Sequence, residues 1–200
     1  MLSPKQEESL SKFMSKILRH TPEQFGIKLD HEGYCHVQDL ISAIKSENRW
    51  SDIGEAGIDQ VVTNCPKKRY HMVNGYIRAN YGHSTGRLDY KESIPPTALY
   101  HGTNSKVVDK IITEGIKPMG RKYVHLSETL EFATLAGKRR GELVILEVDT
   151  VKSLANNVKF YIANNGVWLA DFVPPQYLEK NLILIFSFIL KRGIYTILLT

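Results

Sequence analysis

The stretch Arg69-Tyr70-His71-Met72-Val73-Asn74-Gly75-Tyr76-Ile77-Arg78-Ala79-Asn80-Tyr81 decides how the first half of the chain folds. Asn-Gly is the favoured two-residue hairpin turn, because both positions accept positive φ at little cost. A two-residue loop sets Val73 opposite Tyr76, His71 opposite Arg78 and Arg69 opposite Asn80. Side chains alternate along each strand, so one face carries Arg69, His71, Arg78 and Asn80. The other carries Tyr70, Met72, Ile77, Ala79 and Tyr81.

Helices precede this hairpin. Ser3-Pro4-Lys5-Gln6 reads as a helix start, with Ser3 as cap, Pro4 at the first position and Gln6 reaching back. Leu10, Phe13, Met14, Ile17 and Leu18 follow as one apolar stripe. Pro22 ends the helix near His20, which leaves Arg19 and His20 in its last turn, where positive charge is favoured. Ile27-Lys28-Leu29 leads into the turn Asp30-His31-Glu32-Gly33, and Tyr34-Cys35-His36-Val37 returns from it. Two short helices are predicted, over Asp39 to Ile44 and Ile58 to Thr63. Helices followed by a β-wing describe a winged-helix-like lobe over residues 1–84.

Gly82 to Thr97 has no periodicity and contains Gly86, Pro95 and Pro96; a linker is assigned to residues 85–97. Beyond it strands dominate. Ala98 to His101 reads as a strand that turns at Gly102. A helix follows from Ser105 to Thr113, with Val107, Val108, Ile111 and Ile112 inward and Gly115 as its C-cap. Tyr123 to Leu126 is a strand, and Ser127 is read as the cap of a helix to about Ala136. Leu143 to Val148 is a buried strand. Val158 to Ile162 and Val167 to Val173 are strands joined through Asn164-Asn165-Gly166. The expected class is α+β, with a split sheet in a second lobe over residues 98–180 and an apolar tail over residues 181–200.

The chain has 200 residues, 42% of them hydrophobic and 24% charged, which is an ordinary globular composition. A formal net charge of +5 favours an anionic partner. Cys35 and Cys65 form no CxxC pair, so reduced thiols are expected rather than a metal site. No apolar signal segment follows Met1, and the apolar run after Asn181 is interrupted by Lys191-Arg192-Gly193, too soon to cross a bilayer. A cytoplasmic protein without a membrane anchor is expected, with a terminal hairpin as the ordinary use of the tail.

Arg19, His20, Arg69 and Arg139 are the candidate phosphate ligands. Arginine offers a planar fork that grips two phosphate oxygens and stays charged, and histidine can donate a hydrogen bond or a proton near neutral pH. Each arginine taken alone is more often a solvated surface residue than a ligand. His101-Gly102-Thr103 sets a histidine beside a glycine that admits close approach to the backbone. His125-Leu126-Ser127 sets another before a helix N-terminus, where anions are favoured. Either histidine alone is equally a structural one. GxGxxG, the P-loop lysine motif and HExxH are all missing, so a dinucleotide would be held without a Rossmann turn.

Taken in order, these strings resemble the RNA 2′-phosphotransferase family, NAD-dependent enzymes that remove an internal 2′-phosphate from RNA, notably spliced transfer RNA. The likeness runs from about Leu10 to Leu178. It includes Leu10-Ser11-Lys12-Phe13, Leu18-Arg19-His20, Leu29-Asp30 with Glu32-Gly33, Lys68-Arg69-Tyr70, Ile77-Arg78-Ala79 and Gly82-His83-Ser84. It continues through Leu99-Tyr100-His101-Gly102-Thr103, Val124-His125-Leu126-Ser127, Gly137, Arg139, Gly141 and Asn165-Gly166-Val167-Trp168-Leu169 before Val173-Pro174-Pro175.

The resemblance implies a C-terminal ADP-ribosyltransferase-like lobe and an active site between the lobes. It implies that the RNA 2′-phosphate attacks the nicotinamide-bearing ribose carbon of NAD and expels nicotinamide. The ribose 2″-hydroxyl then attacks the bridging phosphorus, giving 2′-hydroxyl RNA and ADP-ribose 1″,2″-cyclic phosphate. It assigns Arg19, His20, Arg69 and Arg139 to the phosphate, and His101, Gly102, Thr103, His125, Ser127 and Asn165 to NAD, in a monomer with no metal. The chain departs from the family pattern at Arg140, where histidine is common, at Ala163, where serine is common, and in the tail. Three other readings compete: a transferase that caps terminal nucleic-acid phosphates and stops, a protein-modifying transferase, and a winged-helix nucleic-acid binder without catalysis. The protein-modifying reading is disfavoured because no late-strand glutamate stands near Asn165.

Overall fold

The computed structural model describes residues 1–85, 88–138, 141–163 and 166–181. The expected positions Arg139, Arg140 and Asn165 and the tail beyond Asn181 lie outside the described residues.

The first helix, α1 (Pro4–Arg19), starts as its sequence dictates: Ser3 and Gln6 form a reciprocal capping box with proline at the helix start. Its stripe of Leu10, Met14, Ile17 and Leu18 is fully buried. The stripe packs with α2 (Val37–Lys45) and α3 (Glu55–Asn64) in one continuous core. That core is floored by a three-stranded antiparallel sheet of β1 (Tyr34–His36), β2 (Tyr70–Val73) and β3 (Tyr76–Ala79), in the order β1-β3-β2.

The hairpin register is the expected one, with Val73 facing Tyr76 and His71 facing Arg78. Asn74 and Gly75 both hold positive φ, at 49° and 78°. Tyr70, Ile77, Ala79 and Tyr81, all on one face, are buried. The other face does not remain one row. Arg69 precedes the strand and turns its guanidinium to Cys65 Sγ at 3.4 Å. Asn80 is buried and donates to the Lys68 carbonyl at 2.8 Å. Arg78 lies over the Tyr34 ring, whose hydroxyl meets His71 Nδ1 at 2.7 Å.

Ile27-Lys28-Leu29 does not pair with Tyr34–His36. The Asp30 carboxylate accepts the Glu32 and Tyr34 N–H groups, each at 2.9 Å, and Gly33 takes a φ of 85°. This local turn redirects β1 onto β3 instead.

The second sheet has seven antiparallel strands in the order β10-β7-β5-β6-β9-β8-β4. These are β4 (Lys91–Glu92), β5 (Ala98–Asn104), β6 (Val124–Ser127), β7 (Leu143–Asp149), β8 (Phe160–Ile162), β9 (Val167–Ala170) and β10 (Leu178–Lys180). Thus the chain is α+β. The assigned linker is not wholly linker: Lys91 and Glu92 pair with Ile162 and Tyr161 as an edge strand. So short and charged a strand gives no alternation in sequence.

β5 pairs with β7 over its whole length but meets β6 only at Tyr100–Ser127. The sheet therefore parts between β5 and β6, and the His101 and His125 positions border the parting. β5 runs on through Gly102 to Asn104, so Gly102 is not a turn. Its missing side chain makes room for α5 (Leu130–Gly137). A Cβ on Gly102 would stand 1.9 Å from the Ala133 carbonyl oxygen.

Two further expectations fail. The cap of α5 is Thr129, whose hydroxyl accepts the Phe132 N–H at 3.2 Å. Ser127 is the last strand residue; its hydroxyl accepts the Thr129 N–H and donates to the Thr129 carbonyl, forming the turn before the helix. In α4 (Val108–Glu114), Val108 is buried but Val107 lies outside the helix and is 41% exposed. The short α6 (Thr150–Ala155), capped by Asp149, was not legible in the sequence.

Candidate functional site

The C-terminal end of α1 meets the second sheet. Burial of the α1 stripe fixes that end, and the following chain returns to cap it: the Ser84 N–H donates to the Arg19 carbonyl at 3.0 Å. Arg19 is 93% buried by its 7% exposure. Its guanidinium lies 5.0 Å over the Tyr81 ring and donates to the Arg69 carbonyl at 3.4 Å. Its Nε has no partner among the described residues. Gly82, at a φ of 89°, leaves space for this group, since a Cβ there would stand 3.2 Å from Nη1.

Arg69 is set by a strained loop. Lys68 holds a φ of 42°, unusual for a residue with a side chain. The loop is pinned because Tyr81 donates to the Lys67 carbonyl and Asn80 to that of Lys68. His20, the C-cap of α1, meets Ser84 Oγ through Nδ1 at 2.8 Å.

Arg19, His20 and Arg69 line one cleft of about 630 Å³. Leu135 and Lys138, at the end of α5, form its far wall. Lys16 and Lys67 line it as well, so its charge is predominantly positive. Burial is the main force lowering the Arg19 pKa, with the charges of Arg69 and Arg121 adding to it and Tyr70 and Tyr81 opposing. No carboxylate is among the groups that weigh most on Arg19. Burial and then the charges of Arg19 and Arg121 likewise hold His20 below the ordinary histidine value, so it is neutral at pH 7. A buried cation without a facing carboxylate is costly until an anion arrives.

The nucleotide candidates lie at the parting of the second sheet. His101 Nδ1 meets the His125 carbonyl at 3.0 Å, and burial lowers its pKa. His125 is pushed down to about 3 by burial and then by Arg121 and Arg19, and its Nε2 is buried without a partner. Its ring packs edge-on to Tyr81 at 5.7 Å, which joins it to Arg19. Thr103 and Ser127 are buried, and both sides of the Ser127 hydroxyl are taken up by Thr129.

Two residues outside the expected set belong to this region. His83 is 5% exposed, has both ring nitrogens unpartnered and is held down to about 4 by burial and then by Arg19, His20 and Arg78. It shares with His125 a small pocket of about 10 Å³, room for one water. Arg121 acts by its charge on Arg19, His20, His101 and His125. His83 lies in Gly82-His83-Ser84, one of the strings that carry the family likeness, but nothing there marks it as buried in the site; Arg121 carries no such signal. Among the described residues no group of three or more His, Cys, Asp or Glu side chains could hold a metal, and no helix is long and apolar enough to cross a membrane.

Fold and site together define an α+β protein with a cation-lined cleft between α1, the loop after α3 and the end of α5, suited to a phosphorylated ligand. Comparison with known sequences gives the family. Residues 5–172 match the profile of the RNA 2′-phosphotransferase, Tpt1 / KptA family. A probable RNA 2′-phosphotransferase of Acetivibrio thermocellus is 40% identical over 172 residues, covering 85% of this chain and 94% of the relative. A relative of the same name from Rhizobium leguminosarum bv. trifolii is 43% identical over 183 residues, covering 90% and 98%. Another from Fusobacterium nucleatum is 42% identical over 174 residues, covering 85% and 96%. The chain belongs to the RNA 2′-phosphotransferase family.

Proposed function

We propose that this protein transfers an internal 2′-phosphate from RNA to NAD, leaving 2′-hydroxyl RNA, ADP-ribose 1″,2″-cyclic phosphate and nicotinamide. In this reading residues 1–84 are a winged-helix-like RNA lobe, residues 98–180 are an ADP-ribosyltransferase-like lobe, and the reaction lies between them. The observation that carries it is the buried Arg19 guanidinium, with an unpartnered Nε, beside Arg69 and His20 in a cleft walled by α5. The fit to a dinucleotide rests on the buried, unpartnered Nε2 of His125 at the sheet parting.

The residues divide the work. A phosphate dianion is already a nucleophile, so the first step asks mainly for positioning: Arg19 and Arg69 hold the 2′-phosphate while the pocket of His101 and His125 orients the ribose. In the second step the ribose 2″-oxygen bonds to phosphorus and the RNA 2′-oxygen leaves. Negative charge grows on the phosphoryl oxygens, where Arg19, Arg69 and Arg139 stabilise it. His20 is neutral at pH 7 and can take the 2″-hydroxyl proton and return it to the departing 2′-oxygen.

The test is to incubate the protein with NAD and a short 2′-phosphorylated RNA, and separately with a 5′-phosphorylated oligonucleotide. Nicotinamide release with loss of the 2′-phosphate supports the reading. A stable adduct on the terminal phosphate, with the 2′-phosphate untouched, supports the capping activity instead. RNA binding without nicotinamide release leaves only a binding protein.

A further inference from the structure

The connection from α4 to β6 carries an exposed cation, Arg121, four residues before His125, and its backbone is held on both sides. The Arg121 N–H closes a turn on the Pro118 carbonyl at 3.1 Å, and Met119 inside that turn holds a φ of 56°. The next residue crosses to the segment that caps α1: the Lys122 N–H donates to the His83 carbonyl at 3.3 Å. Tyr123 is buried, packs edge-on to Tyr90 and Tyr161, and donates to the Leu88 carbonyl at 3.4 Å. Arg121 therefore projects, exposed, from a fixed point one residue before the crossing.

That point lies within charge range of Arg19 and His20 on one wall and of His101 and His125 on the other. The strand it leads into is β6, which carries His125. A nucleotide held at the sheet parting, with its reacting ribose turned toward Arg19, has its diphosphate next along the molecule. In that pose the diphosphate follows the reacting ribose on its side away from the RNA phosphate.

We propose that Arg121 is a ligand of the diphosphate of the bound dinucleotide. This rests on the reading of the site given above and assigns a residue to the nucleotide side that belongs to neither expected set. Its planar fork suits two oxygens of one diphosphate, which a lysine ammonium does not match. The arriving dianion also relieves the repulsion that Arg121 exerts on His20 and Arg19, so nucleotide binding prepares the pocket for the RNA phosphate.

The experiment titrates full-length wild type, R121A and R121K with ADP-ribose, with adenosine and with a short 2′-phosphorylated RNA, after thermal melting has shown that each variant folds. R121A is expected to weaken ADP-ribose binding about tenfold to a hundredfold, the loss of a charge-assisted hydrogen-bonded pair, with R121K between. Adenosine and RNA affinities should change less than about twofold. Equal ADP-ribose affinity in wild type and R121A overturns the assignment. So does a loss that falls equally on adenosine, or on the RNA in place of ADP-ribose. If wild type itself fails to bind ADP-ribose, the dinucleotide reading of the whole site fails, a result distinct from the failure of Arg121 alone.

Discussion

Gly102→Ala tests whether this glycine exists for the helix that lies on it. The added Cβ would stand 1.9 Å from the Ala133 carbonyl oxygen, 2.9 Å from the Ala133 carbonyl carbon and 3.0 Å from the Gly137 nitrogen. All three atoms are backbone of α5, so no side chain can rotate away. Restoring even a 3.0 Å contact requires α5 to move about 1.1 Å off β5. Gly137 faces Gly102 from the helix side at equally close range, since a Cβ on it would stand 2.9 Å from the Gly102 carbonyl carbon. Overpacking of this kind costs about 1–3 kcal/mol, and a rigid backbone neighbour puts Gly102→Ala at the upper end. For a chain of this size about 3 kcal/mol lowers Tm by roughly 6–12 °C. The assay is thermal unfolding followed by circular dichroism, with Gly120→Ala as the comparison, because nothing lies within 4 Å of a Cβ there. Activity should also fall at temperatures where the variant is folded, since the end of α5 carries Leu135 and Lys138 into the cleft. A Gly102→Ala protein that melts within about 2 °C of wild type would refute the packing argument.

Other predictions concern charge. Arg69→Ala should slow the second chemical step more than the first, so an ADP-ribosylated RNA accumulates on a denaturing gel; decay of that species at the wild-type rate would remove Arg69 from the proposed role. His83 and His125 are held down to about 4 and about 3 in the folded chain. The unfolded chain takes up protons below about pH 6.5 while the folded chain does not, so stability is intact above that pH and falls as the medium is acidified toward pH 4. Each histidine contributes a slope of up to about 1.4 kcal/mol per pH unit, and His83→Gln should flatten the acid limb by one such share. Identical slopes in denaturant melts of the two proteins between pH 6.5 and 4.5 would show that His83 does not contribute. Lys16→Ala and Lys67→Ala should each reduce the salt dependence of binding to single-stranded RNA by about 0.7 in log–log slope, and unchanged slopes would place the strand elsewhere than this cleft.

Several features were legible in the sequence because their causes lie within a few residues. The capping box of Ser3 and Gln6 satisfies donors next to it, and the Asn74-Gly75 turn sets its own register, so α1 and the hairpin emerge as read. The approach of Arg19 to Arg69 followed in part from this: one ends a helix whose buried stripe is periodic, the other begins the hairpin strand. The readings that failed had competing local solutions. Ser127 and Thr129 are both hydroxyls able to cap α5, and only the strand pairing of Ser127 with Tyr100 and Val167 leaves the cap to Thr129. Lys91-Glu92 has no pattern, and becomes a strand because β8 offers it an edge.

The sequence by itself determined the class of each long element, because capping, periodicity and turn chemistry act over one or two helical turns, and its ordered strings carried the family likeness. Tertiary structure alone decided the purpose of Gly102, whose steric reason lies thirty-one residues away at Ala133. It decided the burial of His83 and brought the charge of Arg121 to bear on Arg19, His20, His101 and His125 together. Those depend on how one sheet docks against the other, and such long-range packing leaves no period in the chain to read.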